Sequence, residues 1–167
     1  DNPIVDYAHL PKDAPWWKAD AALCALGTTM RAAGSRAAFY RVDHDYVIHA
    51  ATLAKAAGTP CFVLNSSTGA KLDAGSFYLR VKAQTERDLL TLNFASLTTV
   101  RPSLLDGGKR TKNRLGEALA IAVAKLFAPL IPKRLRAIST AKVAAAMLNA
   151  GVNAAPGLSI IESEQLH

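Results

Sequence analysis

The run Asn65-Ser66-Ser67-Thr68-Gly69-Ala70, followed by Ser76-Phe77-Tyr78-Leu79-Arg80-Val81-Lys82, decides how the rest of the chain is read. It grows out of Cys61-Phe62-Val63-Leu64, a short apolar run rich in strand-favouring residues that breaks at once into small polar residues and a glycine. That is the pattern of a buried strand ending in a turn, and it leaves two hydroxyls at the strand's C-terminal edge. Residues 77–92 read as helix, so Tyr78 and Lys82, four apart, leave one face together.

Those residue types suit the reduction of a carbonyl. A hydride acceptor needs a proton at its oxygen, and a free phenol with a pKa of about 10 exchanges its proton too reluctantly near neutral pH. Bringing it to about 7 requires roughly 4 kcal/mol. One ammonium about 4 Å away supplies about that much at an effective dielectric of about 20. Ser67, eleven residues before Tyr78, is placed to donate a second hydrogen bond to the same oxygen, with Ser66 the adjacent candidate. An isolated Tyr-x-x-x-Lys is more often a packed ring beside a solvated charge, and the Ser-Ser-x-Gly turn ahead of it is what shifts the balance.

Taken together, the serine turn and the Tyr78-x-x-x-Lys82 helix resemble the short-chain dehydrogenase/reductase superfamily. More narrowly, Leu26-Gly27-Thr28-Thr29, Val42-Asp43-His44-Asp45-Tyr46, Ser66-Ser67-Thr68-Gly69-Ala70, Phe77-Tyr78-Leu79-Arg80-Val81-Lys82 and Arg101-Pro102-Ser103-Leu104-Leu105 are similar to its small atypical members related to the Tat-interacting-protein oxidoreductases. The resemblance covers roughly residues 20 to 165. It implies a Rossmann-like parallel sheet and NAD(P)-dependent hydride transfer with a small-molecule carbonyl or alcohol substrate. It implies Tyr78 as proton donor or acceptor, Lys82 as its partner and a ribose contact, and Ser67 as the orienting hydroxyl. Gly27, Thr28, Thr29 and Ser66 fall on the cofactor side, and Pro102, Ser103 and Leu104 against the nicotinamide and its ribose. Asp43 stands where extended members carry an asparagine, which leaves it a supporting role.

The remaining chain fits an α/β layered domain. Residues 20–27 read as a second buried strand, 35–57 as a long helix closed by Gly58, 96–102 as a third strand stopped by Pro102, and 158–162 as a late edge strand. Helices are expected over 113–127 and 140–150, the latter capped by Ser139 or Thr140, with a turn at Asp106-Gly107-Gly108. Residues 1–19, with Trp16-Trp17, read as an extended lead-in covering apolar surface. Strands separated by helices of this length imply parallel crossovers. Neighbouring positions point around a helix in different directions, so Asp43-His44-Asp45 does not converge on a metal ion.

With 167 residues, half of them apolar, the chain is read as one domain. The charge of +7 gathers in Lys109-Arg110-Thr111-Lys112-Asn113-Arg114 and Lys133-Arg134-Leu135-Arg136. No binding motif or aromatic interleaving accompanies it, so nucleic acid is not expected as a partner. No apolar run of about 18 residues is present, so no membrane span is expected, and cytoplasm is the default compartment with Cys24 and Cys61 as reduced core residues.

None of the ten glycines forms the Gly-x-Gly-x-x-Gly turn that presents backbone amides to a dinucleotide's pyrophosphate. The expectation is therefore a C-terminal portion of a Rossmann-type domain lacking its first strands, with NAD and NADP not distinguishable. Its bare sheet edge needs cover from a preceding segment or from another chain, as in a homo-oligomer. The alternative is a non-catalytic dinucleotide-binding regulatory or interaction module with the same fold.

Overall fold

In the computed structural model, residues 3–106 and 136–167 are described. Their centre is a sheet of four parallel strands, β1 (Ala21–Cys24), β2 (Cys61–Asn65), β3 (Ser96–Arg101) and, after the short pair introduced below, β6 (Gly157–Glu162), in the order β1-β2-β3-β6. Ala21 pairs with Cys61, Cys61 with Ser96 and Ser96 with Gly157, so all four strands begin level and end on one side. The α/β parallel architecture expected from the sequence is present. β1 is shorter than the 20–27 run suggested, because the chain turns toward the helices after Cys24.

β2 explains why its sequence is apolar at every position. Side chains alternate across a strand, and here both faces are covered. Phe62 and Leu64 pack with Val47, Ala51, Leu89, Phe94 and Leu97, while Cys61 and Val63 pack with Val100, Ile138, Val143 and Met147. The first layer comes from the helices that link β1 to β2 and β2 to β3. The link to β2 contains α1 (Met30–Ala33), α2 (Arg36–Tyr40), a π-helical turn over Arg41–Asp45 and α3 (Tyr46–Ala56). α4 (Phe77–Leu90) leads to β3.

The opposite layer is α5 (Thr140–Asn153), whose first turn is capped by Ser139, the side chain accepting from Lys142 N. A short parallel pair, β4 (Leu105–Asp106) with β5 (Ile138–Ser139), joins the ends of β3 and α5, so Asp106 is strand rather than turn. The predicted helix over 113–127, Gly107-Gly108 and most of both basic segments lie outside the described residues. Gly58 ends α3 in the left-handed region as the sequence indicated, φ +89°, where a side chain would be strained. Cys24 and Cys61 are both free thiols. Among the described residues no helix is long and apolar enough to cross a membrane.

The two-sided core makes a direct test. Phe62 is buried between Phe94 and the α3–α4 layer, so Phe62→Ala should lower unfolding free energy by about 3–5 kcal/mol in a denaturant titration. Val152→Ala, at a site 74 % exposed, should change it by less than about 0.5 kcal/mol.

Candidate active site

The π-helical turn sets the site. One widened turn redirects the side chains that follow, and such turns recur at functional sites. Here Asp43 and His44 are both buried and both face α4. Asp43 Oδ1 lies 2.8 Å from Lys82 Nζ, with the two side chains 1 % and 6 % exposed. Asp43 Oδ2 accepts from the Thr28 backbone N–H at 2.8 Å, and the Thr85 hydroxyl reaches the Asp43 carbonyl at 2.9 Å. His44 takes the other direction: Nε2 meets Asp88 at 2.9 Å, Nδ1 meets Asp45 at 2.8 Å, and the ring stacks on Tyr40. Arg87 first, and His44 beside it, hold the Asp88 carboxyl below the usual carboxylate range.

Tyr78 and Lys82 do share a face of α4. The ammonium stands 5.9 Å from the centre of the Tyr78 ring, which is half-buried and meets Phe39 edge-on at 5.8 Å. The ammonium is not alone, however. With a carboxylate 2.8 Å away, the phenol meets a dipole rather than a free charge, and the pull of roughly 4 kcal/mol expected from one lysine is an upper bound.

The strand ends distribute the other predicted residues. Gly27 is exposed above the ion pair, and a Cβ there would come 3.2 Å from Asp43 Oδ1 and 3.6 Å from Lys82 Nζ. A side chain at 27 would thus be tight against Asp43 Oδ1 and in ordinary contact with Lys82 Nζ. Thr28 contributes its amide to Asp43, whereas the Thr29 hydroxyl caps α1 by accepting from Ala32 N at 3.1 Å. Ser67 is half-buried at the end of β2, and its hydroxyl makes only a long 3.4 Å contact to the Thr68 carbonyl among the described residues, which leaves it able to turn to another acceptor.

Ser66 behaves differently, because its buried hydroxyl is committed to Glu86. Pro102 is buried and its carbonyl accepts from Thr68 N, the Ser103 hydroxyl donates to the Arg136 carbonyl, and the Leu104 side chain is 75 % exposed. Sequence reading missed Glu86 and Arg101. Glu86 lies one helical step of four beyond Lys82, and that spacing was the available signal. Burial pushes the Cys24 thiol up.

No protein-family model matches the sequence. HTATIP2 of Rattus norvegicus is 42% identical over 118 residues, 70% of this chain and 48% of that protein. The mitochondrial FMP52-1 of Scheffersomyces stipitis is 41% identical over 101 residues, 60% of this chain and 45% of its own. In sequence, the chain is similar to the HTATIP2 and FMP52 proteins. It spans about half the length of these relatives.

The solved structures it resembles include a dTDP-4-dehydrorhamnose reductase of Bacillus anthracis in complex with NADP, with TM-score 0.60 at 14% identity, covering 86% of this chain and 56% of that one. A short-chain dehydrogenase/reductase superfamily protein of Agrobacterium tumefaciens with bound NAD gives TM-score 0.61 at 17% identity, covering 86% and 60%. The fold is thus that of the Rossmann short-chain dehydrogenase/reductases, as the sequence motifs implied. The cytoplasmic default is corrected by the same comparisons, because the fungal FMP52 relatives are named mitochondrial.

The buried ion pair predicts an asymmetry in stability. Asp43→Asn leaves the Lys82 charge without a counter-ion and should cost about 3–5 kcal/mol in chemical unfolding. Adding Lys82→Met to it should restore a large part of that loss, because no buried charge then remains.

Proposed function

We propose that this chain forms the catalytic side of an NAD(P)-dependent oxidoreductase, acting on a small carbonyl or alcohol, and is the C-terminal portion of one Rossmann-type domain. The observation that supports it most is the half-buried Tyr78 ring with the Lys82 ammonium 5.9 Å from its centre, next to a serine turn whose Ser67 hydroxyl has no short partner among the described residues. The exposed backbone at Gly27, where an added Cβ would sit tightly at 3.2 Å from Asp43 Oδ1, suits the close approach of a flat ring.

The bound nicotinamide, NAD or NADP, would supply or take the hydride. The phenol of Tyr78 gives its proton to the carbonyl oxygen on reduction and takes it back on oxidation. Ser67 donates a hydrogen bond to the same oxygen and fixes the angle at which the carbonyl presents itself. Lys82 holds positive potential beside the phenol, moderated by Asp43, and Asp43 in turn fixes the lysine's rotamer and ties it to the Thr28 amide. Gly27, Thr28, Thr29, Pro102, Ser103 and Leu104 would line the cofactor through their backbone. Ser66 would contribute only through its main chain. The pyrophosphate would be held by residues outside this sequence, and mitochondria are the compartment suggested by the fungal relatives.

A second reading, a dinucleotide-binding module without turnover, is favoured by the Asp43–Lys82 pair alone, since an ammonium compensated at 2.8 Å presents a weaker field to the neighbouring phenol. The two readings part on one substitution in the full-length protein. If the enzyme reading holds, Tyr78→Phe should cut carbonyl-dependent oxidation of NADPH or NADH by about a hundredfold or more while cofactor affinity, followed by fluorescence, stays within about threefold. Cofactor binding with no turnover in the unmodified protein leaves the binding module.

A further inference from the structure

Glu86 lies two helical steps beyond Tyr78 on α4, and the chemistry above gives it nothing to do. We propose that Glu86 is a positioning residue, whose carboxylate locks the Ser66-Ser67 turn and the Arg101–Leu104 segment onto the helix carrying Tyr78 and Lys82. The inference rests on the oxidoreductase reading and deepens it.

Glu86 Oε1 accepts from the Ser66 hydroxyl and from Arg101 Nε at 3.1 Å, and Oε2 accepts from Arg101 Nη2 at 2.6 Å. A two-pronged guanidinium–carboxylate contact fixes orientation as well as distance. The third arm of Arg101 donates to Glu162 at 2.8 Å, so the last residue of β3 and the residue after β2 are tied to one carboxylate on α4, and the last residue of β6 is linked to it through Arg101. The Glu86 and Arg101 side chains are only 12 % and 20 % exposed. Hydrogen bonding to Glu86, then to Glu162, raises the guanidinium further above its ordinary range, so it stays charged throughout.

The Ser67 hydroxyl has no short hydrogen bond among the described residues; the Ser67 carbonyl accepts from Ala70 N at 3.1 Å, and the residues on either side are tied as well. Ser66 is held by Glu86, and Thr68 is held by the Pro102 and Arg101 carbonyls at 3.0 and 2.8 Å. The Arg101–Glu86 contact closes this ring of ties around the serine.

The test uses full-length protein, phenanthrenequinone as the carbonyl and NADPH or NADH as donor. Glu86→Gln keeps the shape and an acceptor for Ser66 but removes the charge that aligns Arg101. It should lower kcat at least about tenfold while KM for the cofactor changes less than about threefold. Ser67→Ala should cost several-fold less in the Glu86→Gln background than in the parent, because a misplaced serine has less to lose. If Glu86→Gln does not fold, Ser66→Ala takes its place and should show the same kcat loss and the same coupling to Ser67→Ala. An unchanged kcat, or losses that simply multiply, overturns the positioning role and leaves the oxidoreductase reading standing. An unmodified protein that neither binds cofactor nor reduces the quinone overturns both.

Discussion

The Asp43 carboxylate and the Lys82 ammonium are taken out of water together, and much of the surrounding structure follows from that. Removing two such ions from solvent costs several kcal/mol each, and the cost is offset only when their geometry is good and their remaining hydrogen-bonding capacity is used. The π-helical turn supplies the geometry by aiming Asp43 at α4. The Thr28 amide takes the second carboxylate oxygen, and a Cβ at Gly27 would press on Asp43 Oδ1 at 3.2 Å. One ion pair therefore links the loop after β1, the π-helical turn before α3 and the middle of α4.

α4 is held by polar ties along its length rather than by an apolar stripe alone. Lys82 meets Asp43, Glu86 meets Ser66 and Arg101, and Asp88 meets His44. Val81, Thr85 and Leu89 supply the packing between them. Each tie reaches a different element, so the helix has little freedom to slide or rotate. Tyr78 and Lys82 are thereby held in a fixed position relative to the sheet and the π-helical turn.

The likeness to HTATIP2 and FMP52 proteins and the Rossmann short-chain dehydrogenase/reductase fold place the Tyr78–Lys82 helix in a chemically coherent setting. The Lys82 ammonium at this site has a counter-ion in Asp43. A lysine with a free charge would bias the neighbouring phenol strongly. The same lysine paired at 2.8 Å acts mainly as a fixed, oriented group, with its electrostatic effect on Tyr78 reduced.

Periodicity and turn chemistry were enough to find the four main strands and α3, α4 and α5, because each carries a local pattern; the break of the 35–57 stretch into α2, a π-helical turn and α3, the short α1 and the β4–β5 pair were not legible. Cys61-Phe62-Val63-Leu64 is apolar throughout since both its faces are covered, and Pro102 ends β3 since it cannot donate to a ladder. The pairing of Tyr78 with Lys82 was readable for the same reason, being one helical step. The tertiary structure alone decided the partners of the buried charges. Asp43 and Lys82 are 39 residues apart, and Arg101 reaches Glu162 across 61, distances over which sequence carries no local pattern. So Ser66 and Ser67, identical and adjacent in the sequence, diverge in the fold: alternation along the chain sends one hydroxyl to Glu86 and leaves the other without a short partner.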